Sequence, residues 1–399
     1  MNAKKILFIS GSLGLGHIGR DLQIAKALRK EHPEIDISWL AEDPATIVLK
    51  EAGEKLLSEA DLLARGNTKL DNSAKDYKAN LVRWAMNMRK GWSGNAALLA
   101  KVMEREHFDL VVGDEAYDII VEMVNNPSFK QFPFVMMFDF IGGDAITHHP
   151  MDLLATYMFN RIWVKALRAE PRLADRSIFL GEIEDVPDKK FGFMLPNRRR
   201  LAEKHVDFVG YVLSFNPKDY ENKGKVRQVL GYGMERLIIC SIGGTAAGRA
   251  LLDLCVKAYP IIRKEIPDVK MVLVCGPRVP VDSIPAAEGV EVNGYVPELY
   301  KHLAAADLCI VTGGGTITLE LTALQRPFLY FPLEQHFEQE IDVAMRCERH
   351  RAGIKMMYSK TTPESLAKEV VSNIGKKVNY APIPIDGAQK AAKLISELL

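Results

Sequence analysis

The sequence lacks any apolar run close to the roughly 20 residues that a transmembrane helix needs. It also has no CxxC pair, no HExxH, no DxD at the end of an apolar run, and no glycine turn followed by Gly-Lys-Ser or Gly-Lys-Thr. These absences exclude a membrane-spanning chain, a zinc-protease centre and a P-loop nucleotide site. We therefore expect a protein that binds no metal.

Charge of either sign is not in excess, because the net charge is only +1 over 399 residues. This balance argues against nucleic acid as a partner, since polyanion binding needs a basic surface. The five cysteines all lie in the second half, and three fall inside apolar runs, which predicts reduced core thiols. MNAKK leads directly into an apolar run, so we expect no signal peptide and a cytoplasmic protein.

Two similar halves follow one another along the chain. KILFIS, the glycine-rich GSLGLGH, a helical pattern and IDISWL form a β–loop–α–β unit, and RLIICSIGG opens a second series of the same kind. The fold class is therefore α/β, with two parallel doubly wound sheets. We place the first domain at residues 1–206, the second at 207–380, and an amphipathic C-terminal helix at 381–399.

Three glycine turns follow predicted strands and precede predicted helices, at residues 11–16, 243–248 and 313–315. Such a turn suits an anion, because the glycines let backbone N–H groups approach and the helix N-terminus carries partial positive charge. One turn alone would be weak support, since any tight βα turn can use glycine. Two turns in the second half could hold one diphosphate at the carboxyl edge of the sheet.

The stretch GYVPELYKHLAAADLCIVTGGGTITLELTALQRPFLYFPLEQHFEQEIDVA, residues 294–344, carries six ordered features. They are an aromatic-x-Pro turn, a helix, Ala-Asp before a strand, a glycine loop, a Glu on the next helix, and an acid–Gln pair. This order resembles the donor-binding signature of UDP-glycosyltransferases and of the bacterial peptidoglycan N-acetylglucosaminyltransferase. The resemblance implies two facing Rossmann-like domains of the GT-B type, with the C-terminal helix returning to the first domain.

The resemblance also implies roles for individual residues of the second half. Tyr295 would stack on uracil and Val296 would read its edge, while Glu320 would accept hydrogen bonds from both ribose hydroxyls. The remaining predicted donor residues are the two glycine turns and the acid–Gln pair expected at the sugar, namely Gly243, Gly244, Thr245, Gly313, Gly314, Gly315, Thr316, Glu338 and Gln339.

Three positions depart from the pattern. Thr312 stands where many members of these families carry histidine, and Asp342 replaces the usual Asn. Ile317 stands where a hydroxyl residue often contacts phosphate, so that role would pass to Thr316 or Thr318. These changes do not affect the assignment of a nucleotide ligand, but they leave the identity of the bound sugar open.

His17 follows the first glycine turn, and in the resembled family a histidine in this loop is the general base for the acceptor hydroxyl. An imidazole can take up a proton near neutral pH, which suits that role. Asp114, at the end of FDLVVGD, is the expected carboxylate partner, with Glu115 as the alternative. The resemblance implies inverting, metal-independent transfer of a hexose or N-acetylhexosamine from a UDP-sugar, without a further cofactor.

Two other functions fit the same architecture: a UDP-sugar 2-epimerase, and a non-catalytic nucleotide-sugar-binding subunit. The acceptor stays open between a small molecule, a glycan and a lipid-linked compound. An aromatic and basic cluster on a long predicted helix is typical either of a helix resting on the inner face of a membrane or of one packed in the first domain. Its residues are Arg83, Trp84, Met86, Met88, Arg89, Lys90 and Trp92.

Overall fold

The computed structural model describes residues 3–11, 14–63, 69, 71, 74, 77–285 and 288–399. The chain forms two compact units. Unit 1 comprises residues 1–69, 81–214 and 384–399, and unit 2 comprises 70–80 and 215–383. The first unit thus extends to residue 214, whereas the sequence suggested a boundary at 206, and a short segment from the first half belongs to the second unit.

Unit 1 is built on a seven-stranded parallel sheet of order β3-β2-β1-β4-β5-β6-β7. Its strands are β1 Lys5–Ile9, β2 Asp36–Leu40, β3 Lys55–Leu56, β4 Leu110–Asp114, β5 Phe134–Phe138, β6 Arg176–Phe179 and β7 Asp207–Phe208. Strands β4 and β5 are buried at every position, as expected for a parallel sheet covered on both faces. The last strand, β7, explains why unit 1 continues past residue 206.

Seven α-helices belong to the described part of unit 1. They are α1 Gly16–Glu31, α2 Ala45–Glu51, α3 Leu81–Arg105, α4 Tyr117–Asn125, α5 Pro150–Leu167, α6 Arg198–His205 and the C-terminal helix Gly387–Ser396. The C-terminal helix buries Ala388, Ala391 and Ile395 in the same core as Ile6 and Phe8 of β1. The predicted return of this helix to the first domain is therefore confirmed.

Unit 2 is built on a six-stranded parallel sheet of order β10-β9-β8-β11-β12-β13. Its strands are β8 Arg236–Ser241, β9 Val269–Val274, β10 Val290–Asn293, β11 Leu308–Thr312, β12 Phe328–Phe331 and β13 Ile354–Lys355. Its α-helices, numbered after α6 with the C-terminal helix as α13, are α7 Lys223–Leu230, α8 Arg249–Glu265, α9 Tyr300–Ala305, α10 Gly315–Ala323, α11 Ala344–Arg349 and α12 Pro363–Asn373.

Each sheet changes its winding direction at one pair of neighbouring strands, β1/β4 in unit 1 and β8/β11 in unit 2. At such a switch point the connections leave in opposite directions and open a crevice at the carboxyl edge, where α/β proteins bind ligands. The first glycine turn follows β1, and the other two follow β8 and β11. All three predicted anion turns therefore lie at switch points.

The aromatic and basic cluster of α3 is largely packed. Trp84 is 8% exposed and Met88 is 2% exposed, so both lie in the interior of unit 1, whereas the Arg83 side chain is 63% exposed. The side chains of Met86, Arg89 and Lys90 lie outside the described residues. The membrane-contact interpretation is therefore wrong for Trp84 and Met88, because their rings and chains face protein. No α-helix in the described parts of the chain is long and apolar enough to cross a bilayer.

Candidate active site and donor site

A histidine and three carboxylates meet at the β1/β4 switch point of unit 1. The Nδ1 atom of His17, in the first turn of α1, lies 2.8 Å from Oδ2 of Asp114, the last residue of β4. On the other side of the ring, Nε2 lies 3.5 Å from Oε2 of Glu115. Both candidate acids thus contact the same imidazole, but at different nitrogens. If Nδ1 donates to Asp114, Nε2 keeps its lone pair and can accept a proton.

Gly11 makes room for this pair. A Cβ atom at residue 11 would lie 2.8 Å from Nδ1 of His17 and 3.2 Å from Oδ2 of Asp114. Contacts this short would force the imidazole away from the carboxylate. The glycine after β1 is therefore required by the close approach of the two candidate side chains, and not only by the turn.

Arg20, one helical turn after His17, is the residue of this cluster that the sequence did not reveal. Its guanidinium donates to Oδ1 of Asp114 at 2.9 Å and to Oδ2 of Asp139 at 2.6 Å, and it also contacts His17. Burial opposes ionisation of Asp114, but Arg20 and His17 outweigh it and hold the pKa of that carboxyl below its ordinary value. The pKa of Asp139 is lowered against the same opposition.

Glu115 has a φ of 51°, a left-handed conformation that is uncommon for a residue other than glycine. Its N–H donates to the carbonyl of Met137, which ties the end of β4 to β5. This backbone conformation turns the side chain toward the imidazole at the end of the strand. Strained backbone of this kind concentrates at functional sites.

In unit 2 the glycine turns after β8 and β11 are in contact. A Cβ at Gly248 would lie 2.7 Å from the Thr312 side chain, and one at Gly313 would lie 2.7 Å from Cα of Pro332 after β12. The loops at the carboxyl ends of three neighbouring strands therefore pack closely at these glycines. Helix α10 begins directly in the second turn, with Gly314 as its N-cap and Gly315 and Thr316 as its first residues.

Glu320 is one turn further along α10. Part of its surface remains accessible, yet burial among protein atoms raises the pKa of its carboxyl to about 8. Among the hydrogen bonds and ion pairs of the described residues, none involves this side chain. A desolvated acceptor that stays partly accessible is suited to a ligand that brings its own hydroxyl donors.

Of the two threonines expected to replace a phosphate contact at Ile317, one is excluded. Thr318 is fully buried, and its hydroxyl donates to the carbonyl of Gly314 at 2.8 Å. Thr316 stays half-buried at the start of the helix. Arg346 of α11, which the sequence did not indicate, donates to the carbonyl of Gly315 and so supports the turn.

The remaining predicted donor residues also lie at this carboxyl edge. Tyr295 and Val296 follow β10, and both are half-buried. Glu338 and Gln339 open a helical turn after β12, and the Gln339 side-chain oxygen accepts from the N–H of Leu333 at 2.9 Å. The neighbouring His336 is buried, which lowers its pKa to about 3 and keeps it neutral.

The turn after β8 already holds one carboxylate. Oδ1 of Asp71, from the segment 70–80, accepts from the N–H of Ala246 at 2.8 Å, and Oδ2 accepts from Arg278 at 2.5 Å. The same segment is anchored by the hydroxyl of Tyr77, which donates to the carbonyl of Phe331. A backbone N–H and a guanidinium that converge on one anion form the kind of arrangement that also binds phosphate.

Comparison with known proteins agrees with this architecture. Residues 238–398 match the model of the glycosyltransferase family 28 C-terminal domain. The UDP-N-acetylglucosamine–N-acetylmuramyl-(pentapeptide) pyrophosphoryl-undecaprenol N-acetylglucosamine transferase of Clostridioides difficile is 22% identical over 94% of this chain and 82% of its own. The crystal structure of the glycotransferase of kitacinnamycin covers 100% of both chains with a TM-score of 0.61 and 17% identity.

The chain has the GT-B fold.

A further relative is an uncharacterized glycosyltransferase of Methanopyrus kandleri, 25% identical over 49% of this chain. That match spans 56% of the relative's length. The chain thus matches the family 28 model across most of unit 2 and in the C-terminal helix of unit 1, and the structural likeness extends over both units. Among its described residues, no group of three or more His, Cys, Asp or Glu side chains is arranged to hold a metal ion.

Proposed function

We propose that this glycosyltransferase moves a hexose or N-acetylhexosamine from a UDP-sugar to an acceptor hydroxyl, with inversion at the anomeric carbon. The observation that carries the proposal is the contact of 2.8 Å between His17 and Asp114. The acceptor O–H gives its proton to Nε2 of His17 while the oxygen forms a bond to the anomeric carbon. The bond from that carbon to the phosphate oxygen breaks, and UDP leaves with the electron pair. A single displacement of this kind inverts the configuration.

Asp114 stabilises the imidazolium that forms, because its carboxylate is held ionised by Arg20. The leaving diphosphate is stabilised at the N-terminus of α10 and by the N–H groups of the turn after β8. Since these groups supply the positive potential, we propose that turnover needs neither a metal ion nor a cofactor. A chelator should then leave the rate unchanged.

The donor assignment rests on Glu320, whose carboxyl would accept from the two ribose hydroxyls, and on Tyr295 beside the expected uracil. The name of the Clostridioides difficile relative, an N-acetylglucosamine transferase that uses a UDP-sugar, supports the same donor class. That name also refers to an undecaprenol-linked acceptor, which supports a lipid-linked acceptor and a peripheral position at the cytoplasmic membrane face.

Thermal unfolding tests the donor assignment directly. UDP should raise the melting temperature through binding to the native state, and Glu320→Ala should remove most of that increase. Glu288→Ala, at a side chain of the same unit that is 91% exposed and precedes β10, serves as the matched control. Equal stabilisation by ADP and GDP, or an undiminished UDP effect in Glu320→Ala, would contradict the proposal.

A further inference from the structure

Helix α1 carries a buried carboxyl group that the proposed mechanism does not use. Asp21 follows His17 by four positions, which places the two residues on the same face of the helix. Asp21 is 0% exposed. An aspartate this deeply buried needs a partner, because burial opposes the charged form of its side chain. The groups around the carboxyl therefore decide whether it is ionised.

One oxygen of the Asp21 carboxyl has a donor, and the other does not. The hydroxyl of Ser10, directly after β1, donates to Oδ2 of Asp21 at 2.5 Å. Oδ1 is also buried, and no donor among the described residues reaches it. A buried acceptor without a donor is unfavourable. The same oxygen is satisfied if it carries a proton and donates that proton to an acceptor.

The acceptor within reach is Asp114. The carboxyl groups of Asp21 and Asp114 lie within hydrogen-bonding distance of each other, and both are buried. Two carboxylates this close repel each other so strongly that one of them keeps its proton. The oxygens of Asp114 accept from the guanidinium of Arg20 at 2.9 Å and 3.1 Å, and one of them also lies 2.8 Å from His17. Asp114 is therefore the member of the pair that is better stabilised as an anion.

The surroundings of Asp21 agree with this order. Burial, followed by the charge of Asp114, raises the pKa of the Asp21 carboxyl well above its ordinary range, and the charge of Arg20 opposes this rise only in part. Helices α2 and α13 also pack against α1, but the side chains that they bury are not titratable. Further acids at this edge of the sheet are Glu42, Glu115 and Asp139.

We propose that Asp21 is a positioning residue for the pair of His17 and Asp114: its carboxylic O–H donates to Asp114, and Ser10 holds the acid in place. The neutral acid fixes the orientation of the Asp114 carboxylate. It also draws negative charge from that carboxylate, so that the imidazole stays neutral and ready to accept a proton near neutral pH. The inference rests on the proposed function, because it assumes that His17 is the base. The protonation of Asp21 itself can be measured without that assumption.

Infrared spectroscopy measures the protonation of Asp21 without any turnover. A protonated carboxyl group has a C=O stretching band separate from the bands of a carboxylate. At pH 7 the difference spectrum between the wild type and Asp21→Asn should show the loss of one such band. Glu320→Gln is the matched control, because the pKa of Glu320 is raised to about 8 and this variant should also lose a band at pH 7. A spectrum in which Asp21→Asn loses no such band would overturn the proposal.

The pH dependence of turnover distinguishes a positioning role from a merely structural one. Asp21→Asn keeps a donor in its NH₂ group, so it should retain turnover within about threefold and the pH profile of the wild type. Asp21→Leu is similar in size but has no donor. Its turnover should fall about tenfold or more, and the pKa of the base in the pH–rate profile should rise. Lys26→Ala, at an exposed residue of the same helix, is the control and should change neither.

An ionised Asp21 would give the opposite result. Asp21→Asn would then remove a negative charge near His17, and the pKa of the base in the profile would fall by about one unit or more. Such a fall, or an Asp21→Leu variant with the turnover and pH profile of the wild type, would contradict the positioning role. Wild-type turnover in His17→Ala, with the infrared band of Asp21 present, would instead contradict the proposed base and leave the hydrogen bond between the two acids standing.

Discussion

Glu320 should make UDP binding depend on pH in a way that the variant Glu320→Gln does not share. Its pKa of about 8 in the unliganded protein means that about one tenth of the molecules carry the carboxylate at pH 7 and about one hundredth at pH 6. If the ionised form is the one that accepts from both ribose hydroxyls, the apparent Kd is the intrinsic value divided by that fraction. The affinity of the wild type should therefore rise about tenfold between pH 6 and pH 7, and level off above pH 8.

Calorimetric titration of UDP at several pH values measures this effect. The phosphate of UDP also titrates near pH ~6, but it does so equally for both proteins, so the ratio of the two affinities isolates Glu320. Glutamine keeps the shape of the side chain and one acceptor oxygen without titrating. Parallel pH profiles for the wild type and Glu320→Gln would refute the assignment of the ribose contact to an ionised Glu320.

The unliganded protein provides a second measurement of the same pKa. Because the folded-state pKa is raised, the native state holds this proton more tightly than the unfolded chain does. The resulting stability is fully present below the unfolded pKa of about 4.5 and is lost as pH rises to about 8, at up to about 1.4 kcal/mol per pH unit. Glu320→Gln should therefore be increasingly more stable than the wild type, in denaturant unfolding, as pH rises across this window.

Three further substitutions test other parts of the structure. Gly11→Ala should lower turnover about 10- to 100-fold, because the added Cβ displaces His17. The control Gly19→Ala should leave turnover intact, since a Cβ there meets no atom within 4 Å. Equal turnover of the two variants would refute the need for close approach at Gly11. Asp71→Asn should tighten UDP binding about three- to tenfold in calorimetry, because a carboxylate no longer competes for the Ala246 N–H, and weaker binding would contradict this. Ile395→Ala should lower the free energy of unfolding, measured in urea, by about 2–5 kcal/mol, because this side chain is fully buried. A loss below about 1 kcal/mol would contradict its place in the core.

The sequence predicted the strands, the glycine turns and the long helix α3 because these follow from local patterns. Apolar runs that end in glycine indicate parallel strands followed by βα turns. Because this order occurs in both halves of the chain, it predicted two sheets. The strand order of the structure then places the glycine turns at the switch points. The resemblance supplied the candidate roles, and the structure brought His17 and Asp114 together as that resemblance implied.

Features that depend on distant parts of the chain were not predictable in this way. Arg20 appears in the sequence as one more basic residue of an amphipathic helix, and only the fold brings Asp114 and Asp139 to it. The same holds for Asp71, whose segment joins unit 2 through contacts with residues about two hundred positions later. For Trp84 the sequence left a membrane-facing and a packed position open, because a helical pattern does not say what covers its apolar face, and the structure buries it.

The central claim is that His17 is the general base of sugar transfer. Mass-spectrometric measurement of product formation from UDP-N-acetylglucosamine, at saturating donor, compares the wild type with His17→Ala. Loss of a general base should lower the rate about 10²- to 10⁴-fold. UDP affinity should stay unchanged, because the proposed donor residues all belong to unit 2. A His17→Ala variant that transfers the sugar at the wild-type rate at neutral pH would contradict the account.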